Sequence, residues 1–230
     1  MTKSDGTAVS VFARAPRPGA VKTRLIPLLG AEGAAALHAR LVERTLETAR
    51  AATFPRIELH GTPDINDPFF SFCAAHFAVA LAAQAGGDLG ARMLAAFEAA
   101  LATHPRALLL GSDCPALTAR HLRQADRALR EGSDAVFVPC EDGGYALIGL
   151  QRAEARLFDG IAWGGENVMA DTRARLTGLG WRWRELDTLW DVDRPEDYAR
   201  LVASGLLDDR RAMDMSFPRR RVSPSPHGGR

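Results

Sequence analysis

Short apolar runs in this chain repeatedly end in loops and lead into segments whose apolar residues recur at helical spacing, and this alternation constrains the fold more than any other feature. The first instance is AVSVFA, an apolar, partly β-branched run that stops at a proline-rich loop and reads as a buried strand. AEGAAALHARLVERTLETARAA follows, rich in Ala and Leu with polar residues between them, and predicts a helix. Strand, loop and helix in this order form the opening unit of an α/β sheet.

The alternation persists. RIELHG and AVALAAQ predict strands and GDLGARMLAAFEAALATH a helix, while PFFSFCAAHF gives no clear period. RALLLG predicts a strand, the segment from about Thr118 to Arg130 a helix that Thr118 can cap, and DAVFVP a further strand. GGYALIGL reads as a strand, GENVMADTRARLTGLG as a helix with a glycine stop, WRWRELD as an alternating strand, and RPEDYARLVAS as a last helix with Pro195 near its first turn. The expected fold class is α/β: three layers, helices on both faces of a mostly parallel central sheet. With 230 residues, 47% of them hydrophobic, one core is enough, and residues 1–207 are expected to form a single catalytic domain. From Asp208 the chain mixes Arg, Ser, Pro and Gly without period, so 208–230 is expected to be a flexible basic tail.

Charge excludes several function classes. Lys+Arg 29 against Asp+Glu 28 gives a net charge of +1, so no whole-molecule field favours nucleic acid. No apolar run reaches the roughly 18 residues of a membrane span, and the N-terminal MTKSDGTAVS carries no long apolar region. Cys73, Cys114 and Cys140 form no C-x-x-C pair and read as reduced core thiols. A cytoplasmic protein is the expectation, and any anion binding has to be local.

FARAPRPGAVKTRL supplies such a locality. It gathers Arg14, Arg17, Lys22 and Arg24 where the first strand of an α/β sheet should end. A P-loop is ruled out, because Val21 precedes Lys22 and Pro16 holds the other required glycine position. No G-x-G-x-x-G is present either, so the loop offers side-chain cations rather than a glycine nest. Arg forks and a compact Lys charge suit a polyphosphate that also binds metal; the alternative is a solvated surface loop.

Acidic groups complete the pattern. Asp113, in LLLGSDCPALT, sits just beyond an apolar strand, where ligand sites of open α/β sheets collect, and suits a hard cation; an Asx turn before Pro115 is the alternative. In LWDVDRPEDYARL, strand alternation points Asp191 and Asp193 to the same side, and either could reach a metal held by Asp113. Asp193 is the preferred second metal ligand, although it may equally be read as capping the next helix with Glu196 in capping-box style. Glu141 and Asp142 lie beside Gly143 and Gly144 in PCEDGGYALIGL, which is either an acceptor or sugar contact or a plain hairpin turn. Gln84, Asp88 and Arg92, around AQAGGDLGARM, are candidates for base or ribose recognition, with helix capping by Asp88 as the simpler account.

Together, FARAPRPGAVKTRLIPLLG, GGDLGARM, LLLGSDCPALT, EDGGYALIGL and LWDVDRPEDYARL resemble the bacterial glycosyltransferases associated with arsenosugar biosynthesis, also described as selenodomain-associated transferases. The likeness runs in order from about Val9 to Leu201. It implies a GT-A fold, a nucleotide-diphospho-sugar donor, and Mg²⁺ or Mn²⁺ between the nucleotide phosphates and a carboxylate. Asp113 falls on the family's GSDCP aspartate, and Lys22 and Arg24 on its KTRL cations. One departure bears on the acceptor: after Trp163 the chain has Gly164-Gly165-Glu166 where relatives commonly show a Ser/Thr pair.

The resulting expectation is a metal-dependent glycosyltransferase acting on a small-molecule acceptor. Asp113 and Asp193 would hold the metal, Glu141, Asp142 or Glu166 could serve as base, and Gly143, Gly144 and Trp163 would face acceptor or sugar. The same KTRL, DCP and DGG order is similar to 2-phospholactate guanylyltransferases, so a nucleotidylyltransferase releasing pyrophosphate from a nucleoside triphosphate is the alternative. A non-catalytic nucleotide-binding protein is the third.

Overall fold

A computed structural model describes residues 6–207; the basic tail expected over 208–230 lies outside them. Seven strands and six helices follow one another as β1 (Thr7–Arg14), α1 (Ile26–Ala51), β2 (Arg56–Thr62), α2 (Pro68–Phe77), β3 (Ala80–Ala83), α3 (Leu89–Thr103), β4 (Arg106–Leu110), α4 (Ala119–Arg130), β5 (Ala135–Pro139), β6 (Tyr145–Leu150), α5 (Val168–Leu179), β7 (Trp183–Glu185) and α6 (Pro195–Ser204). The strands form one sheet in the order β3-β2-β1-β4-β6-β5-β7. Only β6 runs antiparallel to its neighbours, β4 and β5.

Alternation along the strands feeds two cores. Val9, Val11, Leu108, Leu110, Val136 and Val138 face one side, with Val42, Leu46, Phe70, Leu122 and Leu129 from α1, α2 and α4. Ala8, Phe12, Leu109, Phe137 and Ile148 face the other, with Met93, Phe97, Met169 and Leu176 from α3 and α5. Helix α1 is long and apolar enough to cross a membrane by length and composition, yet its Ala34, Leu37, Leu41, Val42 and Leu46 are buried inside the protein.

PFFSFCAAHF, which had no clear period, is helix α2. Its apolar residues spread around the axis because Phe69, Phe70, Cys73 and Phe77 are all buried, and Asp67 caps it by accepting the Phe69 N–H at 3.2 Å. Thr118 starts α4 as expected, its N–H donating to His121 Nδ1 at 3.1 Å. Helix α6 is capped differently from the expected scheme: the Asp197 carboxylate accepts the N–H groups of Asp193 at 3.1 Å and Arg194 at 2.8 Å, so Asp193 is freed from that task.

The sheet order fixes where the loops meet. From β1 the chain passes to β2 and β3 on one side and then returns to β4 on the other, so a topological switch point opens between the carboxyl ends of β1 and β4. The loops carrying Lys22 and Asp113 both start there.

Candidate functional site

At the switch point, Lys22 Nζ lies 2.5 Å from Asp113 Oδ1. Lys22 reaches it from an uncommon left-handed backbone conformation, φ 47° and ψ 42°, just before a short 3₁₀ turn over Thr23–Leu25. Its side chain is only 5% exposed, against 49% for Asp113. Because Asp113 Oδ1 is itself buried, Oδ2 is the oxygen that reaches open space. Desolvation pushes the Asp113 carboxyl up, but nearby cationic charge, that of Lys22 first, outweighs it and holds the pKa below its ordinary value.

The last acidic loop is brought alongside by backbone pairing. The Val192 N–H donates to the Asp113 carbonyl at 2.9 Å, and the Leu189 N–H to the Pro139 carbonyl at 2.9 Å. Val192 is buried, so Asp191 and Asp193 point together toward the opposite side, as alternation requires. Arg24 donates to Asp193 Oδ2 in a short ion pair. Asp191 instead shares a cavity of about 290 Å³ with Asp113, Asp142, Tyr145 and Trp163. Burial first, and the charges of Asp142 and Asp113 after it, push the Asp191 carboxyl up to about 6.

A larger groove of about 760 Å³ adjoins this cavity through Asp142, Gly143, Gly164 and Asp191 or their neighbours. Its walls carry Glu141, Asp142, Glu166, Asp191, Asp193, Glu196 and Asp197 against Arg24 and Arg194, so the groove is strongly acidic. Two glycines seat the segment that divides the two spaces. A Cβ on Gly143, whose φ is +89°, would lie 1.8 Å from the Glu166 carbonyl oxygen, and a Cβ on Gly90 would lie 2.7 Å from Trp163 Nε1. The EDGG stretch is thus the β5–β6 hairpin turn and a wall of the groove at once.

The remaining sequence candidates divide clearly. Glu141 forms a two-pronged pair with Arg200 at 2.7 and 3.2 Å, and Asp142 accepts the Gly144 N–H at 2.9 Å. Gly144 and Trp163 line the smaller cavity, and Glu166 the larger groove. Arg17 pairs with Asp67 at 3.0 Å, at the start of α2. Gln84 donates to the carbonyls of His60 and Ala13 at 2.9 and 3.3 Å, Asp88 caps α3 by accepting the Ala91 N–H at 2.8 Å, and Arg92 donates to the Gly87 carbonyl at 2.9 Å. These three side chains hold the backbone around the loops rather than extending into either space.

Two residues that the sequence reading did not prefer stand at the centre. Asp191 is one; LWDVD offers it beside the preferred Asp193, but which carboxylate meets Asp113 depends on the Val192–Asp113 pairing. His38 is the other, buried on α1 with Nδ1 3.8 Å from Asp113 Oδ1. Cys114 and Cys140 also line the smaller cavity, and the hydrogen bond between their thiols, with burial, holds Cys140 protonated well above the ordinary thiol range.

The donor set suits a hard cation. Among the described residues no three His, Cys, Asp or Glu side chains form a ready-made metal cage. One outward Asp113 oxygen beside Asp191, whose carboxyl is pushed up to about 6 by burial and then by its acidic neighbours, instead fits an ion that takes its other ligands from phosphate and water.

Comparison with known proteins gives a consistent frame. The family model described as "Uncharacterized protein conserved in bacteria (DUF2064)" matches residues 45–165. A crystal structure from Desulfovibrio desulfuricans G20, assigned as a nucleotide-diphospho-sugar transferase, is similar with a TM-score of 0.79 and 30% identity, over 89% of this chain and 88% of that one. A nucleotidyl transferase from Methanothermobacter thermautotrophicus shares the fold with a TM-score of 0.61 at 17% identity, over 88% and 98% of the two chains. A cytidylyltransferase from Leptospira borgpetersenii does so at 0.57 and 17%, over 87% and 85%. A comparison with curated protein sequences gives no match.

Proposed function

The chain belongs to the bacterial DUF2064 family, and from that premise and the geometry of its two joined cavities we propose that it is a metal-dependent glycosyltransferase, moving a sugar from a nucleoside-diphosphate donor to a small-molecule acceptor. The observation that carries the reading is the anchored Asp113: its inner oxygen is held by Lys22 while its outer oxygen faces a cavity shared with Asp142 and Asp191, at the switch point of the sheet.

Asp113 and Asp191 would hold Mg²⁺ or Mn²⁺, which when bound neutralises charge on the departing nucleoside diphosphate. Arg14, whose charge acts on Asp113, is the one first-loop cation outside an ion pair among the described residues, and it is free to meet the diphosphate. Three of the four cations are otherwise engaged, which suits a diphosphate shared with a metal better than a departing pyrophosphate. Asp142 lines both spaces, and in this reading it accepts the proton of the acceptor hydroxyl.

The charge of the groove speaks for a neutral or cationic acceptor. A phosphorylated acid such as 2-phospholactate would have to enter between Glu141, Asp142, Glu166, Glu196 and Asp197, whereas a polyol or an amine would be tolerated or attracted. The likeness of the motifs to the arsenosugar-type transferases supports the same sugar chemistry. Residues 1–207 would constitute the catalytic domain, and three free, buried cysteines accord with a reducing cytoplasm.

Incubating the purified protein with Mn²⁺ and panels of nucleotide sugars and nucleoside triphosphates tests the reading. Release of a nucleoside diphosphate from a nucleotide sugar, accelerated by a neutral or cationic acceptor, is expected. Pyrophosphate released from a triphosphate would replace sugar transfer with nucleotidyl transfer. If calorimetry detected no nucleotide binding at all, both enzymatic readings would fail.

A further inference from the structure

Of the 29 Lys and Arg residues in the chain only two are lysines, Lys3 and Lys22, and the second is buried against Asp113. A compact ammonium with three N–H donors is therefore held behind Asp113 in a protein that uses arginine almost everywhere else. Asp113 Oδ1 faces that ammonium as an ion pair at 2.5 Å.

His38 stands at the same oxygen. It is 4% exposed, and its Nε2 lies 3.1 Å from the Arg14 carbonyl. A carbonyl only accepts, so Nε2 carries the hydrogen and donates, which leaves Nδ1 as the bare nitrogen of the neutral ring. Nδ1 has no hydrogen-bond partner among the described residues. Lys22 Nζ and His38 Nδ1 thus converge on one carboxylate oxygen, at 2.5 and 3.8 Å, and an acceptor nitrogen on that side could offer the ammonium a second seat.

We propose that His38 is a positioning residue, whose Nδ1 retains the Lys22 ammonium behind Asp113 when the Asp113 charge is engaged by a metal-bound nucleotide. The inference rests on the proposed reaction only for what draws that charge away. Lys22 then moves from one acceptor to the other rather than out into solvent, and it stays available to a phosphate oxygen.

Neutralising Asp113 by substitution tests the seat without any ligand. Amine acetylation of Lys22, read by mass spectrometry and scaled to the denatured protein, would be compared in wild type, Asp113→Asn, His38→Gln, Asp113→Asn/His38→Gln and Asp113→Asn/His38→Asn. Gln keeps the donor to the Arg14 carbonyl but loses Nδ1, whereas Asn keeps a polar atom near the Nδ1 position and loses the donor. Lys22 is expected to stay protected in both single variants and in Asp113→Asn/His38→Asn. In Asp113→Asn/His38→Gln it should react about tenfold faster, the ratio implied by one lost hydrogen bond to a charged group. Equal protection in Asp113→Asn/His38→Gln and Asp113→Asn, or full exposure in Asp113→Asn alone, would overturn the proposal.

Should a double variant not fold, His38→Gln and His38→Asn with manganese pyrophosphate give the same contrast. Lys22 should be exposed in the first and protected in the second, and the reverse order, or no difference, would refute the seat. Failure of the wild type to bind manganese pyrophosphate would count against the transferase reading and not against the ligand-free result.

Discussion

Lys22 Nζ lies 2.5 Å from Asp113 Oδ1, joining the loop after β1 to the loop after β4 across the switch point of the sheet. The contact orients a carboxylate whose other oxygen faces the cavity, so Asp113 is held in place rather than left to turn freely. Asp113→Asn should keep the circular-dichroism spectrum of the wild type while lowering turnover by about a hundredfold to a thousandfold, since the lost charge acts on the departing diphosphate. Unchanged turnover would remove Asp113 from the mechanism.

Arg14 and Lys22 should separate in binding experiments. Arg14→Ala removes an exposed cation that is free to meet phosphate, and it is expected to weaken nucleotide affinity by about tenfold, the loss of roughly one charge-assisted hydrogen bond. Lys22→Ala should weaken affinity at least as much and, unlike Arg14→Ala, also raise the Asp113 pKa, because Lys22 is the largest influence holding it down. Titration calorimetry with Mn²⁺ and a nucleotide, together with carboxyl NMR, reads both effects.

Asp191 makes stability depend on pH in a direction opposite to that of a salt-bridged carboxylate. Its pKa is about 6 in the folded protein against 3.8 ordinarily, so the folded state binds the extra proton between those values. The stability gained from the protonated form is complete below 3.8 and is lost as pH rises through about 6. The displacement corresponds to at most about 3 kcal/mol, which partial exposure lowers to about 1–2 kcal/mol. Asp191→Asn should therefore be more stable than wild type at neutral pH by about that amount, and indistinguishable from it in acid. Urea unfolding at several pH values would show this, and a variant less stable than wild type at neutral pH would contradict the assignment of Asp191 as a repelled carboxylate.

How the sequence foretold this site depends on which forces are local. Strand and helix periods are local, and they placed every strand from β1 to β7 and five of the six helices. Helix α2 escaped because Phe69, Phe70, Cys73 and Phe77 are all buried, which erases the polar face that reveals a helical period. Period also carries no information about strand direction, so the antiparallel course of β6 emerges only from its pairing with β4 and β5. The meeting of Lys22 with Asp113 was legible, because both follow apolar strands in a fold that gathers such loops. The choice between Asp191 and Asp193 was not, since alternation treats them alike and Arg24 and the Val192–Asp113 pairing separate them in space. His38 was hidden for a related reason: in a helical period it is one inward polar residue, and its importance comes from a neighbour on another loop. Gln84, Asp88 and Arg92, read from the sequence as candidates for base or ribose recognition, each hydrogen-bond to backbone in the structure.

Gly143 should tolerate no side chain. A methyl group there would lie 1.8 Å from the Glu166 carbonyl oxygen, and the φ of +89° is itself unfavourable for any residue with a Cβ. The Met169 N–H also donates to the Gly143 carbonyl at 2.8 Å, so the turn cannot move away without releasing the start of α5. Gly143→Ala is expected to lose about 2–4 kcal/mol of stability, or to displace the segment around Trp163 and remove activity. A variant with wild-type melting temperature and activity would show that the turn and the segment are not coupled.

The acidic groove makes a prediction about the acceptor that charge reversal can test. Glu166 lines the groove and is exposed, so it contributes field without being needed for the fold. Replacing it by Lys changes the local charge by two and should raise KM for a cationic acceptor while leaving KM for the nucleotide donor near its wild-type value. The effect on a polyol acceptor should be small. It should also shrink as salt is added, because exposed charges more than about 10 Å apart are largely screened at about 0.1 M ionic strength. Measuring acceptor KM at low and high salt for Glu166→Lys and wild type would decide the matter, and an increase in donor KM alone would place Glu166 on the nucleotide side of the site instead.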